Sequence, residues 1–194
     1  MSLRMPAPER REQLLAVALT VFAREGFHGT AMTDVADAAG VTKPVLYQHF
    51  SSKRELYLAL LDDVGRRLRT LIAQATSDAA SPHEQVRRGF GAWFRWVATE
   101  ADDFSLLFGS GNRRDADFAA AVRHVEDALA EAIAPLIQAS IDADHQQTLA
   151  WALVGMAETT ARRLTAAGEP IDADRVAAHV SDLAWAGLRG LRPG

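Results

Sequence analysis

Residues Thr30–Phe50 read TAMTDVADAAGVTKPVLYQHF, and this stretch decides the fold. A short segment of helical periodicity, about Ala31–Ala39, is ended by Gly40, and a second runs over about Lys43–Phe50. Two short helices joined by a three- to four-residue turn containing glycine make a helix-turn-helix arrangement. Met32, Val35, Ala36, Val41, Leu46 and Phe50 fall where they can face inward. At 100° per residue, Leu46 and Phe50 share one side of the second helix. Pro44, Tyr47 and Gln48 take the opposite side, with Lys43 and Val45 at its margins. Proline, tyrosine and glutamine turned outward suit a helix that enters a major groove N-terminus first. Pro44 removes no hydrogen bond there, because first-turn amides have no intrahelical partner. The remaining free amides, with the helix dipole, favour a phosphate. The plainer alternative is a helical hairpin with a few exposed residues.

Outward from this stretch, apolar residues recur at three and four positions along the whole chain, and no run alternates long enough to argue a strand. A first helix opens near Pro8, carries Leu14, Leu15, Ala18, Val21 and Phe22, and ends at Gly26. Ser52 and Glu55 form a capping box that starts a long fourth helix with Leu56, Leu60, Val64, Leu68 and Ile72 in an i+4 ladder. Ser81-Pro82-His83-Glu84 repeats the signal before Phe90, Trp93, Phe94 and Val97. A short element near Asp103–Phe108 ends at Gly109-Ser110-Gly111. A seventh helix is expected from about Asp115 towards Ile141, bent near Pro135. An eighth spans about Asp144–Ala167 and stops at Gly168. Asp172 caps a ninth, which fades at Gly190. The expectation is an all-α protein of about nine helices, with a three-helix N-terminal head over residues 1–57 and a helical body over 58–194.

The composition narrows the function. The 194 residues contain no cysteine, which excludes disulfides, thiolate metal sites and cysteine nucleophiles. The longest stretch free of Asp, Glu, Lys and Arg, His145–Ala157, has 13 residues, against about 20 for a transmembrane helix. No apolar leader follows Met1, so a cytoplasmic protein without membrane association is expected. Residues 1–69 hold 10 Lys+Arg against 8 Asp+Glu, and the rest of the chain 11 against 17. An acidic body with a mildly basic head fits a protein that touches an anion at one end, although chance produces such a swing too.

Gly29-Thr30, Val35-Ala36, Ala39-Gly40-Val41-Thr42, Leu46-Tyr47-Gln48-His49-Phe50, Ser52-Lys53 and Leu56 closely resemble the signature of TetR/AcrR-type transcriptional regulators. The resemblance covers about residues 8–57; beyond it only length, helicity and helix order agree. Proline stands at position 44, where many members carry glycine. The resemblance implies that Thr33, Lys43, Pro44 and Val45 lie near base edges and that Tyr47, His49 and Lys53 hold phosphates. Thr30 and Thr42 would contribute at helix starts, and Gln48 lies on the same outward face. The partner implied is double-stranded operator DNA.

Residues 58–194 show no catalytic constellation. No nucleophile elbow or phosphate-cradling glycine loop is present, and the six histidines are scattered. No enzyme activity, cofactor or metal is expected. Seven of the 14 aromatic residues fall between positions 90 and 118. The resemblance implies an effector pocket enclosed by the later helices, with Trp93, Trp96, Phe104, Phe108, Phe118, Arg123 and His124 as candidate lining residues. The effector expected is a small hydrophobic or aromatic molecule. Small residues on the last two helices (Ala150, Ala152, Gly155, Ala157, Ala177, Ala178, Ala184, Ala186, Gly187, Gly190) permit close helix approach, within a monomer core or across a dimer seam. The family's homodimer seam uses these two helices, and a two-fold protein matches a pseudo-palindromic operator. The sum is a ligand-responsive repressor. Two rivals stand beside it: a helical binding protein or enzyme with an idle head, and a DNA-binding regulator that answers to no ligand.

Overall fold

Gly40 lies at φ +65° in the turn between the two short helices, a backbone state that glycine adopts without strain. The Val41 amide donates to Ala36 O at 3.0 Å and the Gly40 amide to Asp37 O at 3.1 Å, the paired bonds that close a helix C-terminus around such a glycine. The computed structural model describes residues 6–109, 111–137 and 141–191. Among them the chain is all-α, with nine helices and two 3₁₀ turns. They are α1 (Ala7–Gly29), α2 (Met32–Ala38), α3 (Lys43–His49), α4 (Lys53–Thr76), α5 (Pro82–Thr99), α6 (Ala101–Phe108), α7 (Ala116–Ile133), α8 (Ala143–Ala167) and α9 (Ala173–Leu188). The 3₁₀ turns are Asn112–Arg114 and Ala134–Leu136.

The chain divides into two compact units. One runs to Val64 and takes in Asp102–Ala121; the other is Gly65–Ala101 with Val122 onward. The first unit therefore includes a segment from the middle of the chain that a single division after residue 57 leaves out. Its core is built from Leu14, Ala18, Val35, Leu46, Phe50 and Leu56, all without exposed surface. Inside α1, Gly26 takes φ 70° and ψ 169°. The helical run thus breaks where the sequence places its end, and one further turn follows to Gly29. In the second unit α5 and α9 run antiparallel. The His83 ring lies 5.1 Å from that of Trp185 at one end, and Arg95 Nη1 donates to Asp174 Oδ1 at 3.0 Å at the other. Gly65 of α4 faces Val125 of α7 so closely that a Cβ there would lie 2.4 Å from Val125 Cγ2.

Three local expectations need correction. The capping boxes are displaced by one residue. Ser52 Oγ accepts from the Glu55 amide at 3.1 Å, but Glu55 takes its bonds from the Ser51 amide and hydroxyl rather than from Ser52. Likewise, Ser81 Oγ accepts from the Glu84 amide at 3.1 Å while Glu84 accepts from the Ala80 amide at 2.9 Å. The seventh helix does not bend at Pro135 and continue. It ends at Ile133, and Pro135 sits in the 3₁₀ turn, where the missing amide breaks no α-helical bond. The expected stretch towards Ile141 crosses residues 138–140, which lie outside those described. The α8 and α9 caps are as expected, with Asp142 accepting from the His145 amide and Asp172 from the Arg175 amide.

Candidate nucleic-acid interface and ligand cavity

The outward face of α3 follows from what its inward face buries. Leu46 and the C-capping Phe50 have no exposed surface, and this fixes the rotation of a helix only two turns long. Thr42, Lys43, Pro44, Tyr47 and Gln48 are then exposed together, Tyr47 at 46%. Val45 and His49 are half-buried at the margins of that face, and Thr33 of α2 is half-buried. An exposed aromatic ring beside a lysine, a glutamine and the free first-turn amides of a proline-initiated helix can meet both phosphates and base edges.

Two predicted contact residues are placed differently. Thr30 is 2% exposed, and its hydroxyl donates to Gly26 O at 2.9 Å. Lys53 is half-buried, and its Nζ donates to Phe27 O and to Thr30 O, each at 2.7 Å. The same ammonium lies 4.5 Å from the centroid of the Phe27 ring. Both residues tie down the chain between the kink in α1 and the start of α2. A cation at the start of α4 opposes that helix's dipole, and the two carbonyls offset this without any phosphate.

Beside Lys53, α4 presents Arg54 to the start of α7. The guanidinium donates to both carboxylate oxygens of Asp115, at 2.7 and 2.9 Å, and to Asp117. These hydrogen bonds, Asp115 first, raise the Arg54 pKa further and hold the Asp115 carboxyl below its ordinary range. One turn on, the buried Tyr57 hydroxyl donates to Asn112 Oδ1 at 2.8 Å, and Asn112 Nδ2 donates to Leu106 O and Leu107 O. Burial pushes the Tyr57 hydroxyl up to about 12, slightly offset by that hydrogen bond.

The second unit contains a cavity of about 180 Å³. Its wall is apolar: Ile72 from α4, Phe90 and Trp93 from α5, Leu129 from α7, Val154 and Ala157 from α8, and Leu188 after Trp185 on α9, among others. Its polar lining residues are Thr76, Gln85 and Arg189.

Of the seven candidate pocket residues, Trp93 lines this cavity. Trp96 is buried beside it, with ring centroids 5.7 Å apart, and is not in the lining. Phe104 and Phe108 are buried in the first unit, 5.3 Å from one another. Phe118 packs against Phe27 and Tyr57 at 4.7 and 4.6 Å. Arg123 and His124 are exposed. The aromatic concentration thus serves two cores, because α5 and α6 belong to different units. Reasoning from sequence chose Phe118, Arg123 and His124 on α7 where Leu129 and Ile133 line the cavity, and it missed the contributions of α4, α8 and α9. Trp185 and Leu188 did carry a signal in their three-residue spacing, which marks one helical stripe. Among the described residues no cluster of histidine or acidic side chains could hold a metal, and no helix is long and apolar enough to cross a membrane.

A helix-turn-helix whose second helix turns lysine, tyrosine and glutamine to solvent, in a chain whose other unit encloses an apolar cavity, defines a transcriptional regulator. Residues 14–60 match the model of bacterial regulatory proteins of the tetR family, and residues 82–187 match a tetracyclin repressor-like C-terminal domain. The chain belongs to the TetR family. It is 35% identical over 187 residues to the HTH-type transcriptional activator FasR of Mycolicibacterium smegmatis, covering 95% of this chain and 85% of that protein. A TetR-like transcriptional regulator from Rhodococcus sp. RHA1 superposes with a TM-score of 0.76 at 34% identity, over 97% of this chain and all of that one. The regulator FadR from Bacillus subtilis, solved with stearoyl-CoA, shares the fold at 14% identity and a TM-score of 0.77, over 93% of this chain and 99% of that one.

Proposed function

We propose that this regulator binds a pseudo-palindromic operator as a homodimer and releases it when a small hydrophobic effector fills the cavity of the second unit, and so acts as a repressor in the cytoplasm, without catalysis. The observation that carries the proposal is the exposed set Thr42, Lys43, Pro44, Tyr47 and Gln48 on a helix whose rotation is locked by Leu46 and Phe50. Lys43 reaches a guanine edge, Pro44 and Val45 meet thymine methyl groups, and Tyr47 and His49 hold phosphates. Thr30 and Lys53 act behind this face as braces.

The dimer reading rests on the last two helices. Trp151 of α8 and Leu183 of α9 are 51% and 67% exposed, among exposed Ala152, Ala178, Ala186 and Gly187. Large apolar side chains set in a field of small ones are what a close helix–helix seam requires. Coupling is available through α4, one helix that carries Lys53 in the head and Ile72 and Thr76 in the cavity wall. An effector shifts DNA affinity only by as much as it prefers one of two conformers.

Footprinting on the DNA flanking the protein's own gene, followed by anisotropy titrations on the protected sequence and a scrambled duplex, tests the proposal. Equal binding to both duplexes overturns it. The activator name of the FasR relative favours a second reading of the regulatory sign. A reporter under the footprinted promoter separates the two, since deletion of the regulator raises expression for a repressor and lowers it for an activator.

A further inference from the structure

Of the 21 basic residues, 19 are arginines and two are lysines, Lys43 and Lys53. Both lysines fall in the first unit, and none follows Lys53 in the chain. A guanidinium keeps its proton throughout the pH range of a cell, whereas a lysine ammonium can release one and become a nucleophilic amine. Among side chains, chemistry that consumes amines is therefore confined to these two positions.

The structure separates the two. Lys53 is half-buried, its Nζ donates to Phe27 O and Thr30 O at 2.7 Å, and it lies 4.5 Å from the centroid of the Phe27 ring. Before that nitrogen can attack, it must give up a proton, two charge-assisted hydrogen bonds and the ring contact. Lys43 has none of these restraints. It is exposed at the first position of α3 and makes no hydrogen bond or ion pair among the described residues. Thr42 and Pro44 on either side are exposed as well, so a small electrophile can reach the nitrogen. The helix does not depend on the ammonium. Thr42 O accepts from the Val45 and Leu46 amides at 3.0 and 3.2 Å, and Leu46 and Phe50 anchor the buried side. Loss of the charge leaves α3 folded and seated.

Resting on the reading of α3 as the DNA-reading helix, we propose that Lys43 is a modification site. Acylation of its Nζ by a small activated acyl donor, an acyl phosphate or an acyl thioester, switches operator binding off. The ammonium first releases a proton to water. The amine lone pair then attacks the acyl carbonyl and a C–N bond forms, while the C–O bond to phosphate or the C–S bond to the thiol breaks. The leaving group departs as phosphate or thiolate, and the second proton of the nitrogen passes to it or to solvent. Nothing is oxidised or reduced. The product amide is uncharged, so it lacks the cation that a guanine edge favours, and the acyl group adds bulk at the front of α3. Because the arginines do not react, one reaction per subunit changes the DNA-reading face and leaves the other side-chain charges in place.

Acetyl phosphate and acetyl-CoA are the probes, each incubated with the DNA-free full-length protein. Lys43 and Lys53 share one tryptic peptide because proline follows Lys43, and fragmentation in the mass spectrometer resolves them. Lys43 should be acetylated roughly tenfold or more faster than Lys53, since hydrogen bonds to a charged group contribute on that scale. The donor that reacts faster identifies the source of the acyl group. Footprinted operator, added beforehand, should slow the reaction at Lys43 more than a scrambled duplex does. Protein acetylated at Lys43, separated by ion exchange through its lost charge, should melt as the parent does. It should bind the operator roughly twenty-fivefold more weakly or worse, about fivefold per half-site, which is the scale of one lost base contact. Lys43→Arg, measured against its own untreated form, should lose no operator affinity on treatment.

Reaction of Lys53 as fast as Lys43, or no reaction of Lys43 with either donor, overturns the site. Acetylation of Lys43 that leaves the affinity for a specifically bound operator unchanged overturns the switch and leaves the regulator reading intact. A loss in treated Lys43→Arg equal to the parent's places the sensitive amine elsewhere and overturns the proposal too. If the untreated protein binds no duplex specifically, the regulator reading fails and the switch falls with it; the selectivity for Lys43, measured without DNA, tells this result apart from failure of the site.

Discussion

Lys53→Met distinguishes two uses of one lysine. Its Nζ donates to Phe27 O and Thr30 O at 2.7 Å and lies over the Phe27 ring. Charge-assisted hydrogen bonds contribute about 1.5–3 kcal/mol each when buried. Lys53 is half-buried, and water recovers part of each bond, so about 1 kcal/mol apiece is the appropriate scale. The ring contact adds about 0.5–1 kcal/mol. Methionine keeps the apolar stem and removes only the ammonium, so the head should lose about 2–3 kcal/mol. For a chain of this length, each kcal/mol moves a melting transition by about 2–4 °C, which places the shift near 5–10 °C. Calorimetry measures it, and a salt titration of operator binding measures the competing role. If the lysine instead anchored a phosphate in each subunit, its removal would flatten the log–log salt dependence by about two units per dimer. We expect a large thermal shift and a salt slope close to the parent's. An unchanged melting temperature with a slope flattened by two would refute the bracing role and place Lys53 on the DNA.

Lys43→Ala should weaken operator binding by about 1–3 kcal/mol per half-site and relax discrimination at one base pair; an equal loss on scrambled duplex in anisotropy titrations would show that it reads no base. Gly65→Ala places a methyl 2.4 Å from Val125 Cγ2, and overpacking of about 1–3 kcal/mol should outweigh a helix gain of about 1 kcal/mol. Val125→Ala in the same chain should recover part of that loss, and strictly additive denaturation midpoints would count against the contact. Leu183→Glu, at a side chain 67% exposed, should sediment as a monomer and lose most operator affinity, whereas an intact dimer mass would move the seam elsewhere. Glu55, Glu84 and Asp115 are all held below their ordinary pKa values of 4.5, 4.5 and 3.8, by Ser51, by the Ala80 amide with Arg88, and by Arg54 respectively. Depressed carboxyls contribute stability that is present above those values and lost as pH falls through the lower folded values. Melting temperature should therefore hold down to about pH 5 and drop below about pH 4.5; a rise on acidification would contradict these partners.

The amino-acid sequence alone determined the helices and most of their ends. Gly26, Gly40 and Gly168 take left-handed φ where the pattern places a stop, and Ser81, Asp142 and Asp172 cap the helices that follow them. Those signals are legible because a cap or a turn closes within four or five residues, so the partner lies in the same short window. The outward face of α3 was legible for the same reason, since helical periodicity relates Leu46 and Phe50 to Tyr47 and Gln48 directly. Only the tertiary structure decided the rest. Lys53 meets carbonyls that belong to the end of α1 and the approach to α2, and a lysine in isolation looks the same whether it braces a backbone or waits for a phosphate. The aromatic residues between positions 90 and 118 form one run in sequence and two cores in space, because α6 packs with the head and α5 with the body. The cavity is assembled from helices that begin at Lys53 and end at Leu188. Burial is a property of the partners that packing assembles around a side chain, and those partners are chosen by helix docking over the whole chain rather than by any neighbour in sequence.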